Sequence, residues 1–205
     1  MFTYPNKPAR YEHGIQGYAV VDLETTGFDA FGADRIVEIA IVRVDAHGRE
    51  LGSFSTLIHP GCEMRAGAIH HIDDTMVADA PRFAEIAPSV LAWLEGVVVV
   101  AHNAAFDMRF LQLKEESTGI CFRQPVLDTL LLSAVIHPNQ ESHKLEAICE
   151  RLGINVIGRH TALGDAIVTG EVFLKMIPLL AEMGINTLRE AREAAELTYF
   201  ARIKY

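Results

Sequence analysis

Short apolar stretches alternate with polar turns over the first third of the chain. This pattern predicts strands over residues 17–23, 36–44 and 51–58. The second and third strands are separated by the turn-prone sequence Asp-Ala-His-Gly at residues 45–48. Because this link resembles that of a hairpin, we expect the neighbouring strands to pair antiparallel.

After Pro81 the apolar positions adopt helical spacing. Apolar side chains at residues 83, 86, 90, 91 and 94 predict a helix, which Pro88 is expected to kink or split. The aliphatic run at residues 97–101 predicts a buried strand. Residues 127–136 fit either a strand or a short buried helix, and further helices are predicted over residues 104–117, 143–152, 161–180 and 187 to about 200.

Strands come first in this order and are then interleaved with helices. The order predicts an α/β fold with a central mixed sheet and helices on its faces. The chain has 205 residues, of which 50% are hydrophobic, and this size suits one domain. We expect residues 1–16 to form an N-terminal extension, residues 17–182 the main domain and residues 183–205 a C-terminal helical tail.

The cysteine count, the hydropathy and the net charge limit the classes of function that the chain can have. Three widely spaced cysteines, Cys62, Cys121 and Cys149, fit neither a disulfide framework nor a metal-binding spacing, so we expect a cytoplasmic protein. No secretion signal or membrane anchor is visible, and we expect no membrane partner. The net charge of −9 argues against a broad basic surface for duplex nucleic acid. It remains compatible with a nuclease whose carboxylates bind metal, because the bound cations then attract the phosphate.

Two carboxylates, Asp22 and Glu24, end the first predicted strand. Side chains alternate along a strand, so residues two apart point the same way. Like charges at the end of a buried strand repel each other, and a divalent cation is the simplest partner for both. Because the chain holds 27 acidic residues, such a pair also arises by chance, with both groups solvated or capping the next turn.

Two further places carry candidate chemistry. Asn103 and Asp107 follow the strand at residues 97–101, where it gives way to a helix, and strand ends are the usual place for sites in α/β proteins. His160 and Asp165 stand at the start of the long helix predicted over residues 161–180. Taken singly, these residues fit helix capping and the helix dipole equally well.

Taken together, the motifs D-x-E-T-T-G, H-N-x-x-F-D and H-x-A-L-x-D-A, in this order, resemble those of the DEDDh 3′→5′ exonucleases. That family includes the proofreading epsilon subunit of bacterial replicative polymerases, ribonuclease T and oligoribonuclease. The resemblance spans about residues 18–180. It implies a ribonuclease-H-like fold, with a five-stranded mixed sheet flanked by helices.

The resemblance also implies the chemistry. Asp22, Glu24, Asp107 and Asp165 would hold two divalent cations, Mg²⁺ or Mn²⁺, which prefer oxygen ligands. His160 would be the general base, because histidine exchanges its proton near working pH. The implied reaction releases nucleoside 5′-monophosphates one at a time from single-stranded DNA or RNA 3′ ends.

Further positions match the family's substrate-binding surface. The candidates for contact with the terminal nucleotide and the groove beside it are Thr25, Gly27, Phe28, Ile69, His70, Asn103 and Phe106. Phe106 fits the core equally well. His71 stands where the family usually has glycine, a residue that serves a positive φ angle or a close approach to substrate. Asp128 matches a recurrent Asp-Thr pair, and we expect it to support the site or the fold without binding metal.

Two other functions use the same residues. The chain can be a binding or regulatory module of a larger protein or polymerase assembly, with a role in DNA replication or repair. A metal-dependent phosphohydrolase acting on small nucleotides would need the same carboxylates together with a closed pocket. Turnover of oligonucleotides and of mononucleotide esters separates the three functions.

Overall fold

Five strands form a single mixed sheet in the computed structural model, which describes residues 17–45, 47–62, 64, 70–156, 160–198 and 200. The strands are β1 (Tyr18–Thr25), β2 (Ile36–Val44), β3 (Glu50–Leu57), β4 (Val98–Ala101) and β5 (Val126–Asp128). Their order in the sheet is β3-β2-β1-β4-β5. The first three pair antiparallel, as predicted, whereas β4 lies parallel to both β1 and β5. The predicted α/β architecture with a five-stranded mixed sheet is confirmed.

Eight helices are seen in the part of the chain that the structure describes. They are α1 (Asp74–Val77), α2 (Phe83–Leu94), α3 (Ala104–Gln112), α4 (Glu115–Thr118), α5 (Thr129–Ile136), α6 (Leu145–Leu152), α7 (Ala162–Glu182) and α8 (Leu188–Glu196). Of these described helices, none combines the length and the hydropathy needed to cross a membrane. The expected extension at residues 1–16 lies outside the described residues, and the expected domain boundaries stay predictions.

Three elements refine the sequence-based expectation. Pro88 does not split α2, because it lies on the exposed side of the helix, where water can reach the carbonyl group it leaves unpaired. The helix predicted over residues 104–117 is broken into α3 and α4. The break lets the Glu115 carboxylate turn back to accept a hydrogen bond from the Phe122 amide at 3.0 Å. Residues 127–136 contain both alternatives, since β5 runs directly into α5.

Helices cover the sheet on both faces. Side chains of α5, α6, α7 and α8 pack on one face, and those of α2 and α3 pack on the other. Along β1, Tyr18 and Val20 point to the face covered by α5 to α8, and Val21 points to the face covered by α2 and α3. Asp22 and Glu24 continue the alternation of Tyr18 and Val20, so their side chains project on the face covered by α7.

Helix α7 lies very close to β1 at Gly170. A Cβ atom at Gly170 would stand 3.3 Å from a methyl carbon of Val20. A larger residue at this position would therefore push α7 away from β1. The close packing brings the first turn of α7 to the end of β1 that carries the two carboxylates.

Candidate active site

Three carboxylates meet at the carboxyl end of β1. Strand β4 pairs with β1 only as far as Val20, so Asp22 and Glu24 lie beyond the end of β4. Each of them, together with Asp165 in the first turn of α7, offers one carboxylate oxygen, and these oxygens lie within 4.8 Å of one another. Asp165 is buried and the other two are half-buried. Three carboxylate oxygens form a donor set that suits a hard divalent cation. Without a cation, the negative charges of these partly buried carboxylates would repel one another.

Glu38 on β2 fixes the start of α7 beside these carboxylates. It lies directly opposite Glu24 in the β1–β2 ladder, and its Oε2 accepts a hydrogen bond from the Ala162 amide at 3.0 Å. The Thr161 hydroxyl completes the helix cap by accepting from the Gly164 amide at 3.1 Å. No short motif singled out Glu38, because its partner is 124 residues away in the chain.

Asp107, expected as a fourth metal ligand, lies next to the three carboxylates but is held differently. It is buried on α3, and its Oδ1 accepts a hydrogen bond from the Leu23 amide at 3.1 Å, between Asp22 and Glu24. Burial raises the pKa of Asp107 well above its usual range, and the nearby charges of Asp128 and Glu24 add to the effect. Its oxygens are not among the three that cluster within 4.8 Å.

Asp128 organises the loop that precedes α3. Its carboxylate accepts hydrogen bonds from the amides of Asn103 and Ala104, both at 3.0 Å, and from the Leu130 amide at 2.9 Å. The expectation that Asp128 supports the fold agrees with these bonds. The alternative role of Asn103, capping α3 through its side chain, is not seen: Asn103 has a φ of 63° and makes no side-chain cap hydrogen bond, because a capping side chain needs an extended backbone to reach the first amides.

His160 stands at the edge of the cluster. Its amide donates to Asp165 Oδ2 at 3.3 Å, and its side chain is exposed. His160 has a φ of 66°, in the left-handed region. For a residue other than glycine this conformation costs about 1–3 kcal/mol, a strain that proteins retain mainly at functional sites.

A cleft of about 500 Å³ opens over the carboxylates. Four residues predicted from the sequence line it: Asp22, Phe28, Asn103 and Asp165. Phe28 is 78% exposed, and its ring centroid lies 6.3 Å from that of Phe106. Phe106 is half-buried and also packs on the core, so both expectations for this ring hold.

The cleft has further lining residues that were not predicted as site residues: His102, which begins the second sequence motif, and Leu130, Lys144, Leu145 and Glu146. Lys144 brings a cation into an otherwise acidic cleft. It is the exposed residue that precedes α6, and its place beside Asp22 and Asp165 depends on how α6 packs. A lone lysine carries no sequence signal for such a position.

The loop after β1 shows why Gly27 is glycine. A Cβ atom there would stand only 2.4 Å from the Asp34 carboxylate, which accepts hydrogen bonds from the Thr26 hydroxyl at 3.1 Å and the Asp29 amide at 2.9 Å. The Thr25 hydroxyl donates to the Gly27 carbonyl at 2.6 Å. The loop that carries Phe28 is therefore held by its own polar groups.

His70 is buried and holds the end of β1. Its Nδ1 accepts from the Ile72 amide at 3.1 Å, so Nε2 carries the proton and donates to the Thr25 carbonyl at 3.2 Å. Burial lowers the pKa of His70, which favours this neutral form. His71 has a φ of 59°, so the position where glycine was expected does need a left-handed backbone. Ile69 lies outside the described residues.

Comparison with known proteins identifies relatives of this chain. The exonuclease family RNase T matches residues 19–173. A DNA polymerase III subunit epsilon-like protein of Rhodobacter capsulatus is 45% identical over 190 residues, which cover 88% of this chain and 27% of that protein. A PolC-type DNA polymerase III of Caldanaerobacter subterraneus is 34% identical over 182 residues, which cover 87% of this chain and 13% of that protein. The chain thus spans only a small part of the length of these relatives.

A solved structure shares the fold over most of the chain. It is Exonuclease X in complex with 5′ overhanging duplex DNA, with a TM-score of 0.69 and 25% sequence identity. The match covers 87% of this chain and 99% of that one. The mixed sheet and its helices are those of the ribonuclease-H-like exonucleases.

Proposed function

Because the chain belongs to the RNase T family of exonucleases, we propose that it is a metal-dependent 3′→5′ exonuclease. It removes nucleoside 5′-monophosphates from single-stranded 3′ ends. The observation that carries this proposal is the cluster of Asp22, Glu24 and Asp165, of which Asp22 and Asp165 line an open cleft.

The carboxylates would hold the cations. Asp22, Glu24 and Asp165 supply carboxylate oxygens that lie close to one another. Asp107 is the proposed fourth ligand. Its buried carboxyl group would lose its proton more readily once a bound cation offsets the negative charges of its neighbours. Mg²⁺ or Mn²⁺ bound there, two ions in this proposal, would acidify a water molecule and neutralise charge that develops on the scissile phosphate.

The other side chains handle the proton and the substrate. His160 takes the proton of the attacking water as general base, from its position beside Asp165. The Lys144 ammonium group offers a counter-charge to a phosphate oxygen in the cleft. The exposed ring of Phe28 stacks on the terminal base or packs on its sugar.

The remaining candidates shape the cleft around the terminal nucleotide. Asn103 lines the cleft directly, and Phe106 supports the Phe28 ring. Thr25 and Gly27 set the backbone of the loop that carries Phe28. His70 acts indirectly in this proposal, because both of its ring nitrogens are bound to backbone groups.

The relatives suggest a setting for this activity. Both are named as DNA polymerase III proteins, so we propose DNA as the substrate and association with a polymerase, in replication or repair. No disulfide joins the three cysteines, all of which the structure describes, in line with the proposed cytoplasmic location. The phosphohydrolase alternative is disfavoured, because a cleft with a 78% exposed phenylalanine is open to solvent and does not enclose a mononucleotide.

The test is digestion of 5′-labelled oligonucleotides with Mg²⁺, using free and blocked 3′ ends and matched DNA and RNA. We expect stepwise shortening of free 3′ ends only, with mononucleotide products. Asp107→Ala and His160→Ala should abolish it, whereas the surface controls Asp79→Ala and His47→Ala should not. Equal degradation of the blocked strand would contradict the polarity, and a wild-type protein that binds strands without cleaving them would support a binding module instead.

A further inference from the structure

A second groove adjoins the catalytic cleft on the other side of the first turn of α3. It has a volume of about 590 Å³ and begins at Ala104 and Ala105, directly after Asn103 of the cleft. We call it the basic groove, and its polar or exposed aromatic lining residues are Phe31, Arg109, Gln112, Arg123 and Gln124. The cleft and the basic groove therefore adjoin at the start of α3.

Phe31 presents an aromatic surface in the basic groove. It is 73% exposed, although exposing a phenylalanine ring costs apolar burial. The guanidinium carbon of Arg109 lies 5.4 Å from the ring centroid, a distance that fits a cation–π contact. The contact restrains the ring while most of its surface stays open, which is what base stacking requires.

The groove is also positive, in a chain whose net charge is −9. Arg109 is exposed on α3. Arg123 pairs with Glu115 at 2.8 Å, but its side chain is 59% exposed, so the guanidinium group remains accessible. Two arginines beside an exposed aromatic ring are complementary to a phosphate backbone with unstacked bases.

We propose that the basic groove binds the single-stranded segment upstream of the terminal nucleotide, and this rests on the exonuclease function proposed above. One base stacks on Phe31, and Arg109 and Arg123 bind the flanking phosphates. The groove therefore makes the enzyme prefer longer single strands, whereas the cleft alone handles the terminal nucleotide.

The test compares substrates of different length. The short substrates are a dinucleotide and the p-nitrophenyl ester of thymidine 5′-monophosphate, and the long one is a single-stranded 12-mer. The double variant Arg109→Gln/Arg123→Gln and the single variant Phe31→Ala should each raise KM for the 12-mer about tenfold. KM for both short substrates should stay unchanged. Arg189→Gln on α8, which removes one charge from a 63% exposed arginine, is the control. Phe31→Trp should restore the affinity for the 12-mer.

Salt dependence gives a second readout. Each lost phosphate contact should lower the slope of log KM against log salt by about 0.7 for a single strand. Unchanged KM and slope in the variants, or an equal loss on short and long substrates, would overturn the proposal. If the wild type cleaves nothing, the proposed exonuclease function is wrong. Binding of a labelled 12-mer, measured by fluorescence anisotropy, still tests the basic groove in that case. Equal binding by the wild type and the variants would overturn the proposed role of the groove.

Discussion

The catalytic cleft and the basic groove lie on either side of the first turn of α3, yet they are built in opposite ways. At the cleft, Asp107 and Asp165 are buried and accept hydrogen bonds from the main-chain amides of Leu23 and His160, and Glu38 binds the first amide of α7 in the same way. The groove presents exposed side chains, such as those of Phe31 and Arg109, which contact each other. Chemistry needs fixed geometry, whereas binding of a variable strand tolerates mobile side chains.

The largest difference between the two regions should follow from Asp165→Asn. This change keeps the shape of the side chain and removes one charge from the three-carboxylate cluster. We expect kcat to fall by about 10³-fold or more on short and long substrates alike, because the cation site is lost. Steady-state rates with the ester and the 12-mer measure this, and a loss confined to the 12-mer would show that Asp165 acts in strand binding.

Lys144→Gln should give the next largest effect. Lys144 lies in the cleft and not in the groove, so its loss should reduce kcat/KM for both kinds of substrate. A charged hydrogen bond is worth about 1.5–3 kcal/mol, which corresponds to roughly 10–100-fold. Lys144→Arg should retain part of the activity. A variant as active as the wild type on the ester would remove Lys144 from the cleft chemistry.

Glu38→Ala should have a smaller effect, since Glu38 positions α7 without touching substrate in this scheme. We expect kcat to fall about tenfold, as is typical when a group that orients metal ligands is removed. Glu38→Gln should restore most of the activity, because its amide carbonyl can still accept from the Ala162 amide. If Glu38→Gln is as impaired as Glu38→Ala, the negative charge matters and the positioning role is wrong.

His71→Gly should leave both regions unchanged and alter stability alone. His71 is exposed with a φ of 59°, a conformation that glycine adopts without strain. The free energy of unfolding should rise by about 1 kcal/mol, measured by urea denaturation. A loss of activity with either substrate would place the His71 side chain in the substrate site.

The sequence predicted those parts of the site that depend on local spacing. Asp22 and Glu24 share a face because strand side chains alternate, and this holds whatever packs against the strand. Asp107 and Asp165 were recognised only through the motif order, since neither spacing nor charge distinguishes them from helix caps. Their convergence is set by β4 lying parallel to β1 and by α7 packing against Val20.

Features that depend on tertiary contacts could not be predicted from the sequence. Glu38, Lys144 and the basic groove join residues from distant segments, and no periodicity records such pairings. Helix capping was an alternative role for Asn103, but the Asp128 carboxylate binds the amides at the start of α3 instead. The break between α3 and α4 likewise accompanies a contact that no periodicity records, between the Phe122 amide and the Glu115 carboxylate.

The most direct test of whether Asp22, Glu24 and Asp165 hold the catalytic cation is a titration with Mn²⁺. Electron paramagnetic resonance measures the free Mn²⁺ at each step. We predict that the wild type and the surface control Asp79→Asn bind Mn²⁺ with the same affinity. Asp165→Asn should bind it at least about tenfold more weakly, because one of three anionic ligands is lost. Equal Mn²⁺ affinity of Asp165→Asn and the wild type would contradict the proposed metal site.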